Sequence, residues 1–131
     1  MLLSNDVAGQ RFLRSVYGTF LRIRLGYVDL GPHCESYAHW HIEQRKEKIV
    51  LRAFCYPTKY LRANPDGFVD LADEAFEWEE WMPVRNDENG TWSFLSYHGT
   101  WLRAQMDGDV VLTDSLETIC KGETQFALGC W

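Results

Sequence analysis

Three histidines in the first third of the chain have the residue type and spacing of metal ligands. His39 and His41 flank Trp40, and His33 precedes them beside Cys34. Residues two apart on a β-strand share one face. If Trp40 points into a core, His39 and His41 both point outward and, with His33 or Cys34, could ligate a borderline metal. The same histidines suit an exposed surface that responds to pH. The sequence predicts no bound metal or cofactor. A metal site formed by these histidines is the alternative.

The catalytic motifs with a recognisable pattern are absent from the sequence. It has no G-x-S-x-G nucleophile turn, no phosphate-binding glycine loop and no H-E-x-x-H zinc helix. Carboxylates are dense in residues 73–80, DEAFEWEE. A general acid needs a protected pair of carboxyls with separated pKa values, whereas a dense exposed run predicts a solvated loop and strand edge. The sequence therefore predicts a protein that is not an enzyme.

The cysteines and the apolar segments indicate the compartment. None of the four cysteines is in C-x-x-C spacing, and the N-terminus lacks the basic and apolar regions of a secretory signal. We therefore expect reduced thiols and a cytoplasmic location, with Cys55 as a small core residue. No apolar run approaches the ~20 residues that a membrane helix needs.

Charge is distributed unevenly along the 131 residues. The net charge is −6, but residues 1–65 carry +5 and residues 66–131 carry −11. The acidic total argues against general nucleic-acid binding, which needs a strongly basic face. The basic half favours a contact patch for an acidic partner, or only a solvated surface whose long stems cover aromatic rings. Its predicted contact residues are Arg11, Arg14, Arg22, Arg24, Arg45, Lys46 and Lys48.

An internal repeat organises the chain. An aromatic-Leu-Arg segment occurs three times, and its leucines, Leu21, Leu61 and Leu102, are 40 and 41 residues apart. Each copy is followed by a glycine turn and an apolar strand, and later by another aromatic residue. The repeated positions predict a shared core of Phe20, Leu21, Trp40, Tyr60, Leu61, Trp81, Trp101, Leu102 and Phe126.

Each repeat is typical of four short strands. Alternating apolar residues separated by Gly, Pro, Asn and Asp clusters predict strands with one buried face. Three units of about 40 residues predict an all-β chain of twelve strands, and a β-trefoil is the architecture that uses three such units. We expect an N-terminal segment at 1–10 and one domain at 11–131, with repeats near 11–46, 47–90 and 91–131.

The third repeat, LSYHGTWLRA at 95–104, resembles the S-x-HGxYL-x-A signature of fascin-like β-trefoils. The stretches at 107–110 and 122–128 are similar to the downstream pattern of that family, so the resemblance spans roughly 11–128. It implies a non-enzymatic protein-binding module associated with actin or the cytoskeleton, with F-actin or another acidic protein surface as partner. Bundling members of the family carry several such domains or oligomerise, whereas this chain has one.

Carbohydrate binding is the alternative function, because β-trefoils also serve as lectins. The ricin-like kind carries Q-x-W in each lobe, and none of the four glutamines here has Trp two residues later. A different glycan site would need an exposed ring on which a sugar can stack. The sequence offers Trp78 and Trp131 for this role.

Overall fold

The computed structural model describes residues 7–115 and 122–131, which form twelve β-strands and no α-helix. The predicted all-β chain of twelve strands is confirmed. Two short 3-10 turns, Ser36–Ala38 and Glu77–Glu79, follow β3 and β7. The strands are β1 (Gly9–Arg14), β2 (Phe20–Arg24), β3 (Tyr27–Gly31), β4 (Trp40–Arg45), β5 (Lys48–Ala53), β6 (Tyr60–Ala63), β7 (Val69–Ala72), β8 (Met82–Asn86), β9 (Thr91–Leu95), β10 (Trp101–Ala104), β11 (Val110–Thr113) and β12 (Ala127–Cys130).

The strands pair antiparallel in two sheets. The larger sheet has the order β3-β2-β1-β4-β5-β6-β7, with β12 also paired to β1, and the smaller has the order β11-β10-β9-β8. Three single β-bridges connect the two sheets, between Ile49 and Trp81, Phe68 and Val111, and Trp92 and Phe126. Both sheets therefore enclose one core. None of the helical segments in the described part of the chain has the length and hydrophobicity to cross a membrane.

The repeated leucines meet in this core. Leu21, Leu61 and Leu102 are fully buried, and so are Trp40, Trp81 and Phe126. The indole Nε1 of Trp40 donates a hydrogen bond to the Leu21 carbonyl at 3.0 Å, and that of Trp81 donates to the Leu61 carbonyl at 3.2 Å. A buried indole N–H needs such an acceptor. The side chain of Phe126, at the third such position, has no N–H that needs an acceptor.

Three of the predicted core aromatics are only half-buried. Phe20, Tyr60 and Trp101 each precede a buried leucine by one residue. Successive side chains on a strand point to opposite faces, so burial of the leucine turns the aromatic outward. Phe20, for example, packs edge-on against Phe12, with ring centroids 5.4 Å apart.

Two further predictions need correction. Cys55 is half-buried rather than a core residue, because β5 ends at Ala53 and the alternation does not continue past that point. The folded unit begins before residue 11, since Val7 is fully buried in the core and β1 starts at Gly9. Cys120 lies outside the described residues.

Candidate functional site

A cleft opens between the β2–β3 hairpin and the Ser36–Ala38 turn. Its volume is about 320 Å³. The turn buries Ala38, which leaves the preceding Tyr37 ring outside, and Tyr56 approaches from the loop after β5. The two rings are exposed, with centroids 6.4 Å apart and planes tilted by 42°. We call this cavity cleft 1; it is lined by Arg22, Ile23, Arg24, Leu25, His33, Glu35, Tyr37, Ala38 and Tyr56.

The charged groups of cleft 1 divide into a fixed pair and two free side chains. Arg22 on β2 faces Asp29 on β3, and its Nε and Nη2 donate to the two carboxylate oxygens at 2.8 and 3.3 Å. This hydrogen bonding outweighs burial and raises the pKa of Arg22, so the guanidinium stays charged. Arg24 and Glu35 are exposed and make no side-chain hydrogen bond or ion pair within the described residues. Both remain available to a ligand.

A second cleft lies beside the Glu77–Glu79 turn. Trp78 at the centre of this turn is 37% exposed. The cavity has a volume of about 270 Å³ and continues into a larger cavity lined by Ala72, Asp73 and Glu74. We call the first cavity cleft 2, and the second its acidic extension. Cleft 2 is lined by Arg62, Phe76, Glu77, Trp78 and Glu79.

Clefts 1 and 2 are built in the same way. Tyr37 precedes buried Trp40 by three residues, as Trp78 precedes buried Trp81, and each ring is the middle residue of a 3-10 turn. The Arg22–Asp29 pair has its counterpart in Arg62 and Asp70, which face each other on β6 and β7.

The counterpart pair in cleft 2 is held tightly. Arg62 donates to both oxygens of Asp70 at 2.8 and 2.7 Å, and Asn64 donates a further hydrogen bond at 2.9 Å. Burial alone would raise the pKa of Asp70, but these hydrogen bonds and the Arg62 charge lower it below its ordinary value. The pair is therefore ionised, and Arg62 contributes little net charge to cleft 2.

The corresponding position before Phe126 carries Glu123 instead of an aromatic residue. Glu123 is buried, accepts a hydrogen bond from Arg103 Nε at 2.7 Å, and is also hydrogen-bonded by the Tyr17 hydroxyl. Within the described residues, this position offers no exposed ring, and the guanidinium of Arg103 is bound to Glu123. An aromatic-lined cleft is present at two of the three repeated positions.

The predicted basic patch is spread over the molecule. Gly9 of β1 pairs with Ile42 of β4; Arg14 lies five residues from this pair in one direction and Arg45 three in the other. At about 3.3 Å per residue, these two arginines are roughly 25 Å apart along the sheet. Arg45 donates to the Ala75 carbonyl at 2.8 Å.

The other predicted contact residues are also separated. Arg22 and Arg24 line cleft 1, and Arg11 on β1 donates to Cys130 Sγ on the paired β12 at 2.8 Å. The β4–β5 hairpin carries its own cavity of about 540 Å³, lined by Arg45, Lys46, Glu47, Lys48 and Glu80. The basic residues therefore fall into three groups, and one of these groups contributes to cleft 1.

The three histidines do not assemble as metal ligands. His33 lines cleft 1, while His39 and His41 both pack on Trp131, with ring centroids at 4.5 and 5.3 Å. The indole occupies the space in which a shared ion would sit. Burial raises the pKa of the Cys34 thiol, which disfavours the thiolate that a metal needs. Within 7–115 and 122–131, no group of three or more His, Cys, Asp or Glu side chains could hold a metal ion.

Of the two predicted stacking platforms, Trp78 borders cleft 2, whereas Trp131 is packed among other side chains. Trp131 stacks parallel to His39, meets Phe54 edge-on at 4.7 Å, and donates through Nε1 to the Trp40 carbonyl at 3.0 Å. Sequence reasoning missed Tyr37, Tyr56 and Glu35. The spacing of three residues before a repeated tryptophan, shared with Trp78, is a signal that identifies Tyr37. No local pattern identifies Tyr56 or Glu35.

Comparison with known proteins supports the fold. No protein-family model matches the chain, and no curated protein sequence does. A solved structure of SeviL bound to asialo-GM1 saccharide is similar at 16% identity, covering 94% of this chain and 98% of that one, with a TM-score of 0.80. The likeness supports the predicted β-trefoil fold and does not confirm the fascin-like family.

A second solved structure leads to the same conclusion. It is the GlcNAcα1-4Gal-releasing endo-β-galactosidase from Clostridium perfringens, similar at 18% identity with a TM-score of 0.78. The match covers 91% of this chain but 31% of that one, so this chain spans about a third of that protein. At such identities both likenesses concern the fold.

Proposed function

We propose that this protein is a non-enzymatic, lectin-like carbohydrate-binding module and that cleft 1 is its main glycan site. The observation that carries the proposal is the placement of two exposed rings, Tyr37 and Tyr56, beside the free side chains of Arg24 and Glu35. A pyranose has an apolar C–H face and a rim of hydroxyls. The two rings pack against the apolar face. The Arg24 guanidinium donates hydrogen bonds to the hydroxyls, and the Glu35 carboxylate accepts hydrogen bonds from them.

The comparisons support this function over actin binding. SeviL has been solved with a saccharide bound, and the clostridial protein acts on a glycan. Each is a different protein, and its ligand is evidence here only through the shared fold and the clefts. We further infer that the chain consists of three pseudo-repeats, which the matching indole-to-carbonyl bonds of Trp40 and Trp81 support. Cleft 2, with Trp78, is then a second glycan site.

A glycan array followed by calorimetry on the strongest hit tests the proposal. We expect Tyr37→Ala to weaken binding at least tenfold, because it removes one of the two rings. Phe68→Ala is the matched control, since Phe68 is an exposed ring outside both clefts. If no glycan on the array binds, or if the two variants behave alike, cleft 1 is not a glycan site.

F-actin, or another acidic protein surface, stays a prediction from the fascin-like resemblance, as does the cytoplasmic location. The separation of Arg14 and Arg45 counts against one extended basic contact surface. Co-sedimentation with F-actin at low salt decides between the partners. Pelleting that is lost on reversing Arg45 and Lys46 to Glu, and kept in Tyr37→Ala, would favour actin.

A further inference from the structure

Clefts 1 and 2 share a framework but differ in charge. In cleft 1 the Arg22–Asp29 pair is neutral overall, and free Arg24 balances free Glu35. In cleft 2 and its acidic extension, the carboxylates of Glu74, Glu77 and Glu79 outnumber the cations, and the Arg62 guanidinium, which attracts Glu79, is already shared with Asp70. The described cations nearby are engaged: Arg62 pairs with Asp70 and Lys59 pairs with Asp73 at 2.6 Å. Arg45 donates to the Ala75 carbonyl, and the Lys48 ammonium lies over the Tyr97 ring, 5.9 Å from its centroid.

Glu79 lies at the base of cleft 2. Its side chain is 3% exposed, yet it lines both the cleft and the acidic extension. Oε1 accepts a hydrogen bond from the Phe76 backbone N–H at 2.7 Å, and Oε2 receives none from the described residues. None of the buried side-chain nitrogens and oxygens of the described residues lacks a hydrogen-bond partner, so Oε2 keeps contact with the open space of the cleft, where a donor group of a ligand can reach it. At the corresponding position cleft 1 has Ala38, which carries no charge.

The Trp78 ring, which lines the same cleft as this carboxylate, suits the same ligand group. Trp78 forms a wall of cleft 2, and His98 packs against it nearly perpendicular, at 4.9 Å. His98 Nε2 is bonded to the Ala63 carbonyl at 3.1 Å, so that nitrogen is already engaged. An indole attracts cations as well as apolar surfaces. A sugar bearing an ammonium group would meet both an apolar platform and unbalanced carboxylates.

We propose that cleft 2 selects glycans that carry a free amino group. The ammonium donates to Glu79 Oε2 and Glu77, and the sugar ring lies on Trp78. Such charge-assisted hydrogen bonds are stronger than those to a neutral hydroxyl. An N-acetyl group has one N–H, no charge and more bulk, so it would not replace the ammonium. This inference rests on the proposed function and adds a ligand class to its second site.

The test compares the β1-4 glucosamine trimer with its fully N-acetylated counterpart by calorimetry. The measurement is made at about pH 6, where the amino groups of the glucosamine trimer are largely protonated. We expect the glucosamine trimer to bind at least tenfold tighter than the acetylated one. Glu79→Gln should reduce this preference to threefold or less. It keeps an amide oxygen for the Phe76 N–H, so a melting curve can verify its fold.

Two further variants separate the cleft from general attraction to an acidic protein. Trp78→Ala should weaken the glucosamine trimer at least tenfold, and Glu88→Gln, an exposed acid in the β8–β9 turn, should leave it unchanged. Equal affinity for both trimers overturns the inference, and so does binding that is insensitive to Trp78→Ala. If array glycans still depend on Tyr37, the proposed function survives that failure. If no array glycan and neither trimer binds, the proposed function itself fails.

Discussion

Arg103 and Glu123 form a salt bridge at 2.7 Å in which the carboxylate is 3% exposed. Glu123 occupies the position that holds Tyr37 in cleft 1 and Trp78 in cleft 2. The arginine that a ligand would meet is bound to the protein itself, and Tyr17 is also hydrogen-bonded to the carboxylate. Two of these positions therefore carry an aromatic-lined cleft, and the third carries a structural ion pair.

Glu123→Ala should destabilise the protein. Removing one member of a buried pair leaves the other charge uncompensated, which costs about 3–5 kcal/mol when both are buried. Arg103 keeps some solvent contact, which reduces the expected loss to about 2–3 kcal/mol. Urea unfolding measures it. Glu43→Ala, which breaks the more exposed pair with Arg52, is the comparison and should cost under about 1 kcal/mol. Equal losses would mean that burial of Glu123 contributes nothing.

Leu61→Ala should lower the free energy of unfolding by about 2–5 kcal/mol, because it leaves a cavity in a packed core. Leu25→Ala removes the same atoms from a residue that is 84% exposed at the β2–β3 hairpin tip, and should change stability by under about 0.5 kcal/mol. Thermal or urea denaturation of both variants gives the contrast. A small loss for Leu61→Ala would contradict its place in the core.

Stability should fall as the pH drops below neutrality, with His41 contributing. Burial, helped by the Arg52 charge and opposed by Glu43, lowers the pKa of His41 from its ordinary 6.5. The unfolded chain therefore takes up a proton before the folded one, and stability is lost from about pH 6.5 down to the folded pKa. His41→Gln should flatten this part of the pH profile.

His33 provides the control for that measurement, because it is exposed at the rim of cleft 1. Urea unfolding between about pH 7 and pH 5 should give His33→Gln the slope of the unmodified protein. If His41→Gln retains that slope as well, the proton uptake belongs to another group.

Arg24→Ala should weaken glycan binding at cleft 1 about tenfold and leave the melting temperature unchanged. A hydrogen bond to a charged group contributes about 1.5–3 kcal/mol, and about 1.4 kcal/mol corresponds to a tenfold change in affinity. Calorimetry with the strongest array glycan measures the effect. Arg14→Ala changes another exposed arginine, outside the clefts, and should bind as the unmodified protein does. Equal affinities for the two variants would exclude Arg24 from the site.

The number of strands and the buried leucines follow from the sequence by itself. Alternation and repeat spacing are local properties of the chain, and the burial of Leu21, Leu61 and Leu102 depends mainly on them. The same local reasoning misplaced Phe20, Tyr60 and Trp101, because it did not ask which face of the strand the neighbouring leucine takes. It identified Trp78 as exposed but could not distinguish it from Trp131.

Only the tertiary structure decided which of the chemically capable residues form a site. Tyr56 reaches Tyr37 because Trp40 faces Ala53 in the β4–β5 pair, and each ring lies three residues beyond this pair, one before β4 and one after β5. The contact depends on the register of two paired strands, which the residue pattern of either strand alone does not show. The tertiary structure also decides which charges are paired. Arg22 forms an ion pair because Asp29 faces it across the β2–β3 hairpin, while Arg24, two residues later, has no ion-pair partner among the described residues. The sequence determined the framework through short-range periodicity. The clefts depend on contacts between distant segments, which form only when the whole chain packs.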